Sequence, residues 1–365
     1  STFGGALGVA TFSPPFDNVG GADGFTLKPA VTFDPAESTL YIVDNSGWSS
    51  GGVFMLRLSR ITGTGAAPVW SVLPGGPFPG SGLFFVDINF NFTQIDASQL
   101  GTATRVNTND PRLLNAVCRN GHLWTTHSGG LPADKTANRT AVFWYEIDPT
   151  ASLNDPIVQS GVVDGGNGVH HFFPSISANF LNDVALGFSR SDSTRYVEGV
   201  VTGRASTDPA GSMDTIQVIK AGEDSYVKDF GSGRVRWGDY SATVVDPADD
   251  TTLWSIQQYA ETDVGPGVDD DRWGTWWARL QLVPPEIDPT QGTIGTEVDI
   301  TNLSDLGTKS PKVLIGESKC KVLTFTSSSV SCLLKKIKST NPPGTYDVTI
   351  QRKGKRLSLI HISEP

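Results

Sequence analysis

Four segments of this 365-residue chain repeat one plan, and that repetition limits the folds open to it. They are "AVTFDPAESTLYIVDNSG", "LLNAVCRNGHLWTTHSG", "PSISANFLNDVALGFSRSD" and "YSATVVDPADDTTLWSIQQYA". Each has a short apolar strand, a polar turn built on Asp-Pro, Asn-Gly or Asn-Asp, and a second strand with an aromatic residue or leucine. Three are followed by another alternating strand, in "GGVFMLRLSRI", "RTAVFWYEIDP" and "YVEGVVTGRA", and the fourth by "WGTWWARLQL". Such a unit is a small antiparallel meander. It cannot bury its apolar faces alone, so neighbouring copies must stack.

The units recur at roughly 50 to 80 residues, against ~40–50 for propeller blades, and insertions would lengthen the period. The expected fold is therefore all-β, with a β-propeller-like domain over residues 1–282. The triplet Arg-Trp-Gly occurs in the fourth unit at 236–238 and again at 272–274. Its second copy is expected to start the outer strand of the unit that the first copy introduces. Large rings at these places would fill space between neighbouring sheets.

Charge separates the two parts of the chain. From Val283 onward there are 11 Lys and Arg against 8 Asp and Glu, which leaves 17 against 30 in residues 1–282 of the full 28 and 38. The larger part is thus acidic and repels phosphate backbones, so nucleic acid is not an expected partner. No run approaches the ~20 apolar residues of a membrane helix, so no membrane span is expected. The chain opens at Ser1 with no charged-then-apolar leader, as an exported and processed protein or a trimmed one would. Cys320 and Cys332 flank two short strand-like runs and a serine-rich turn, which suits a cross-strand disulfide in an exported protein. Cys118, in "LLNAVCRNG", reads as a small buried hydrophobe.

After "VPPEIDPTQGTIGTEVDITNLSDLG" come "SPKVLIGESKCKVLTFTSSSVSCLLKKI" and "PPGTYDVTIQRKG". With Pro285, Ile287, Pro289, Gly292, Gly295, Val298, Ile300, Val313, Gly316, Pro343, Gly344, Tyr346, Val348 and Ile350, residues 283–356 resemble an IPT/TIG immunoglobulin-like domain. "NLSDLG" departs from the family's usual turn. The resemblance implies a β-sandwich serving as a spacer or protein contact. Residues 110–282, through "PSISANFLNDVALGFSRSD", "RWGDYSATVVDP", "LWSIQQYA" and "WGTWWARL", resemble bacterial secreted proteins with a sialidase-like propeller. That implies a fold and no particular activity. Residues 357–365, "LSLIHISEP", read as a translated sequencing adapter, with a native final strand as the alternative.

Candidate chemistry centres on the tryptophan- and arginine-rich stretches. Arg236, Trp237, Arg272, Trp273 and Arg190 are candidate ligand-binding residues, because indole faces stack on sugar rings and guanidinium groups offer forked donors. A sialidase-like site would need an arginine cluster, a tyrosine nucleophile and carboxylates, for which Tyr240, Asp239, Glu223 and Arg236 are the candidates. The Asp-box Ser-x-Asp-x-Gly-x-Thr-Trp is not intact in the sequence. Asp263, Asp269, Asp270 and Asp271 in "DVGPGVDDDRWG" are candidate Ca²⁺ ligands, although their spacing is not that of an EF-hand. His170 and His171 are adjacent and would face opposite sides of a strand, so joint ligation is not expected.

The function expected from these features is non-catalytic. The chain would be a secreted or cell-surface binding protein whose propeller face meets a glycan or an extracellular protein. The immunoglobulin-like domain would act as spacer or assembly contact. The alternatives are a sialidase-like glycan hydrolase and a self-assembling structural subunit.

Overall fold

In the computed structural model, the described residues are 24–46, 54–63, 68–77, 80–92, 95–229, 231–265, 271–280, 282, 286–301, 310–326, 329–336, 346–352 and 355–362. All secondary structure among them is β, with 24 strands in five sheets. The first sheet contains β1 (Gly24–Pro29), while β2 (Val31–Thr32) leaves to pair parallel with the second. Then β3 (Leu40–Ser46), β4 (Met55–Thr62) and β5 (Val69–Val72) extend the first sheet outward, and β6 (Leu83–Phe85) also pairs with β4.

The second sheet is β7 (Asn115–Arg119), β8 (His122–Leu131), β9 (Arg139–Ile147) and β10 (Ile157–Val163), in chain order beyond β2. The third is β11 (His170–Ala178), β12 (Val184–Asp192), β13 (Arg195–Arg204) and β14 (Gln217–Lys220). The fourth has three strands, β15 (Ala242–Val245), β16 (Leu253–Glu261) and β17 (Arg272–Leu280). Three of the four repeated segments fold as expected, with two strands paired antiparallel across the polar turn. The first does not: its short leading strand β2 pairs parallel with β7 of the second sheet, and only β3 joins the first sheet.

The fifth sheet comprises β18 (Glu286–Asp288), β19 (Glu297–Thr301), β20 (Lys312–Ile315), β21 (Ser318–Phe325), β22 (Val330–Leu334), β23 (Tyr346–Arg352) and β24 (Lys355–Ile362). They bond in the order β18-β19-β22-β21-β20-β23-β24 around Val298, Ile300, Val313, Val330, Val348 and Ile350. Cys320 and Cys332 form a disulfide across β21 and β22, with a Cα–Cα distance of 5.6 Å. Residues 357–362 lie in β24, which takes the outer place beside β23.

The sheets stack through their apolar faces. Tyr41, Val43, Leu56 and Leu58 of the first meet Ala116, Leu123, Phe143 and Tyr145 of the second. Trp124, Val142 and Trp144 of the second meet Ile176, Leu186, Phe188 and Val200 of the third. The third meets the fourth through Ala185, Val245 and Leu253. Cys118 is buried with a free thiol whose pKa burial pushes up to about 11.

The four polar turns meet at one place. The Asn120 backbone N–H donates to Asp34 Oδ2 (2.6 Å), and its side chain donates to the Phe180 carbonyl (2.9 Å) and Asn182 Oδ1 (2.6 Å). The Phe180 N–H donates to the Asp250 carbonyl at 3.0 Å. Arg119, 1% exposed, lies among them, with its guanidinium 3.3 Å from Asp34, hydrogen-bonded to Asp250 and over the Phe180 ring. A buried guanidinium is tolerated because two carboxylates neutralise it. Asn120, Asn182 and Asp250 take positive φ, the region that Asn and Asp tolerate best among residues with a Cβ.

Candidate functional site

At the other end of the same strands, the segments leading into β2, β7 and β15 come together. Tyr240, just before β15, lies under the Lys28 ammonium of β1, 4.8 Å from the ring centroid. Arg112, just before β7, pairs with Asp110 at 2.6 Å. Its pKa is raised above the ordinary arginine value by Asp110 first, and further by Tyr240. Tyr240 itself is 58% exposed.

From Tyr240 a groove of about 640 Å³ runs over the outer face of the fourth sheet. Its lining includes Arg236, Asp239, Tyr240, Gln258, Trp273 and Thr275. Four of the residues singled out in the sequence therefore share one surface. Period-two alternation explains the last three: Gln258 lies opposite Thr275 and Ala260 opposite Trp273, on one side of the pleat. Trp273 is half exposed there. Arg236 donates to both carboxylate oxygens of Asp239, at 2.8 and 3.0 Å, across the turn that Gly238 makes at φ 51°. That turn leaves the pair exposed, so water and a bound hydroxyl can compete for it.

Hydroxyls stiffen the floor. Ser241 Oγ donates to the Phe173 carbonyl (2.9 Å) and lies 3.0 Å from Ser175 Oγ, which lies 2.8 Å from Thr243 Oγ1; Thr243 in turn lies 3.1 Å from Ser255 Oγ. Gln257 Nε2 donates to Ser255 Oγ at 2.9 Å. Together these tie β11, β15 and β16 beneath the groove. Sequence reading missed Ser241, Gln257, Gln258 and Thr275, because no motif marks a polar residue on the lined face of a strand.

Other candidates lie elsewhere. Trp237 is 1% exposed, packed edge-on to Tyr226 with ring centroids 5.2 Å apart, and its N–H donates to Ser189 Oγ. It belongs to the core and cannot offer a ring face to a ligand, which corrects the expectation for it. Arg190 is held by Glu198 (2.6 Å) on the third sheet. Arg272 lies opposite Glu261, one residue before Trp273 and so on the other side of the pleat. Glu223 is bound to Lys220 (2.5 Å) and to the Thr262 hydroxyl (3.1 Å), outside the groove lining. The expected hydrolase set is thus brought together in part: Tyr240, Asp239 and Arg236 share the groove, and Glu223 does not join them.

Asp271 is 5% exposed and its carboxylate accepts the Val227 N–H, which turns it inward. Asp269 and Asp270 lie outside the described residues, and Asp263 stands at the other end of that loop. Among the described residues no three His, Cys, Asp or Glu side chains gather as metal ligands. His170 and His171 are buried on β11, and burial depresses both pKa values to about 4. The His171 Nδ1–H donates to the Val163 carbonyl (3.0 Å).

Among the described residues no helix is long and apolar enough to cross a membrane. Comparison of the chain with curated proteins finds no match. Residues 283–362 match the IPT/TIG domain family, so the all-β chain carries an immunoglobulin-like IPT/TIG domain after its four stacked meanders.

Proposed function

We propose that this chain is a secreted or cell-surface binding protein, in which a propeller-like stack of four meanders holds a glycan and the IPT/TIG domain acts as spacer. The observation that carries this reading is the groove: an exposed indole and phenol beside Arg236, Asp239, Gln258 and Thr275, over a hydroxyl-braced floor. Aromatic faces stack on pyranose rings, and exposed amide, hydroxyl and guanidinium groups match sugar hydroxyls. The turns gathered at Arg119 support the propeller-like arrangement, and the disulfide supports an oxidising compartment. The position of Glu223 outside the groove favours binding over hydrolysis.

The test is a panel of neutral, sialylated and acidic polysaccharides, scored for retention of the protein and for release of free sugar. Retention without release, weakened about tenfold or more by Trp273→Ala, is expected, since an aromatic anchor is typically worth over ~1 kcal/mol. Sugar release abolished by Tyr240→Phe would instead make the groove a hydrolase site. Neither retention nor release would remove the glycan reading.

A further inference from the structure

The first three sheets each carry a strand outside their third long one: β5 beside β4, β10 beside β9 and β14 beside β13. Among the described residues the fourth sheet has none. Among the described residues β17 pairs with β16 alone, so its far edge presents nine residues of backbone to no partner strand. A long edge strand of this kind is a template for pairing with another chain. Proteins commonly guard such edges with proline, a bulge or a short strand, and β17 has an unbroken register of nine pairs and no proline. It is also the most aromatic edge here, with Trp273 51%, Trp276 47% and Trp277 61% exposed.

The sequence of this edge fits itself. We propose that β17 pairs antiparallel with β17 of a second copy of this chain, about a two-fold axis at Trp276. In that register Trp276 meets Trp276, Thr275 meets Trp277, Gly274 meets Ala278, Trp273 meets Arg279 and Arg272 meets Leu280. Every pair is favourable or neutral. Each arginine faces an apolar or aromatic side chain, so no like charges stand opposite one another, although both chains are acidic overall. Gly274 faces the small Ala278, so the narrowest part of one strand meets the narrowest part of the other. Identical patches exchanging identical contacts are what a two-fold dimer requires. Pairing would join two three-stranded sheets into one six-stranded sheet and place the exposed tryptophans of both copies on it.

This pairing is independent of the glycan reading, because it concerns the edge of β17 and would stand if the groove bound nothing. It is tested on the full chain by sedimentation velocity over a wide concentration range, with three variants. The wild type is expected to dimerise reversibly. Trp276→Lys puts two ammonium groups opposite each other and should raise the dimer dissociation constant about tenfold or more. Trp277→Ala, which removes a ring without adding charge, should weaken the dimer in the same direction with the circular dichroism unchanged. Trp276→Cys should form a covalent dimer on mild oxidation, since the axis brings the two thiols together. A wild type that is monomeric at every concentration overturns the proposal. So does a dimer that tolerates Trp276→Lys without loss, or a monomer whose β17 amides are protected from exchange because the chain covers its own edge.

Discussion

The third and fourth sheets share a strand plan and a turn chemistry, yet they differ in what surrounds them. The third lies between two neighbours, and every residue of β11 is buried, His170 and His171 included. Among the described residues the fourth is covered on one face only, so β16 alternates between buried and half-buried residues while no residue of β17 is fully buried. A strand covered on both sides must satisfy or neutralise every polar group within it. A strand covered on one side can keep polar and aromatic groups for a ligand or a partner. Both proposed sites, the groove and the β17 edge, thus fall where the repetition stops.

The difference is sharpest between two tryptophans. Trp237→Ala should destabilise the chain by about 3–5 kcal/mol in denaturant unfolding, because it empties a core site beside Tyr226 and strands the Ser189 hydroxyl. A cost near 1 kcal/mol would show that the covered side is more loosely packed than the contacts describe.

Acid should act next, and on the covered side. His127, stacked on Phe143 and 3.0 Å from the Tyr145 hydroxyl, joins His170 and His171 with pKa values lowered to about 4 by burial. An unfolded chain protonates its histidines near pH 6.5, before the folded chain does. Stability contributed by their neutral form is therefore present above pH 6.5 and lost as pH falls to about 4. At 1.36 kcal/mol per unit, the limit is about 3 kcal/mol for each histidine. Asp44 and Asp208 oppose this, because burial raises them to about 7 and about 6, and the stability they contribute is lost as pH rises through those values. Thermal melts from pH 7 to 4 should therefore fall, and the three imidazole proton resonances should titrate near pH 4. Titration near 6.5 would mean that the second sheet, for His127, or the third, for His170 and His171, is open to water.

The smallest effect belongs to the open side. Trp277→Ala should change the stability of the monomer by no more than about 0.5 kcal/mol, since surface substitutions away from special features stay within that range. A larger loss, measured below the concentration at which the chain associates, would show that the open face is packed after all.

Much of this was legible in the sequence. The Asp-Pro, Asn-Gly and Asn-Asp turns with their flanking alternation marked the strands of the four meanders, because turn chemistry and a period of two are local properties. The direction of a tryptophan is not local. The two Arg-Trp-Gly triplets look alike, but Gly238 turns the chain at positive φ, whereas Gly274 is extended and leaves room for the Tyr259 ring, which a Cβ there would meet at 2.6 Å. One triplet therefore ends with its indole inside and the other with its indole outside. The place of Arg190 has the same origin, since its partner Glu198 is set by the sheet register, whereas Glu223 pairs with Lys220 only three residues away.

The junction at Arg119 also ties the first and the last of the four repeated turns to one side chain. Its guanidinium is neutralised by Asp34 from the first turn and Asp250 from the fourth, so the beginning and end of the repeated region must come within reach of one side chain. An added meander that moved Asp250 away would leave this buried cation half compensated. A duplicated unit would therefore have to keep both carboxylates beside one guanidinium.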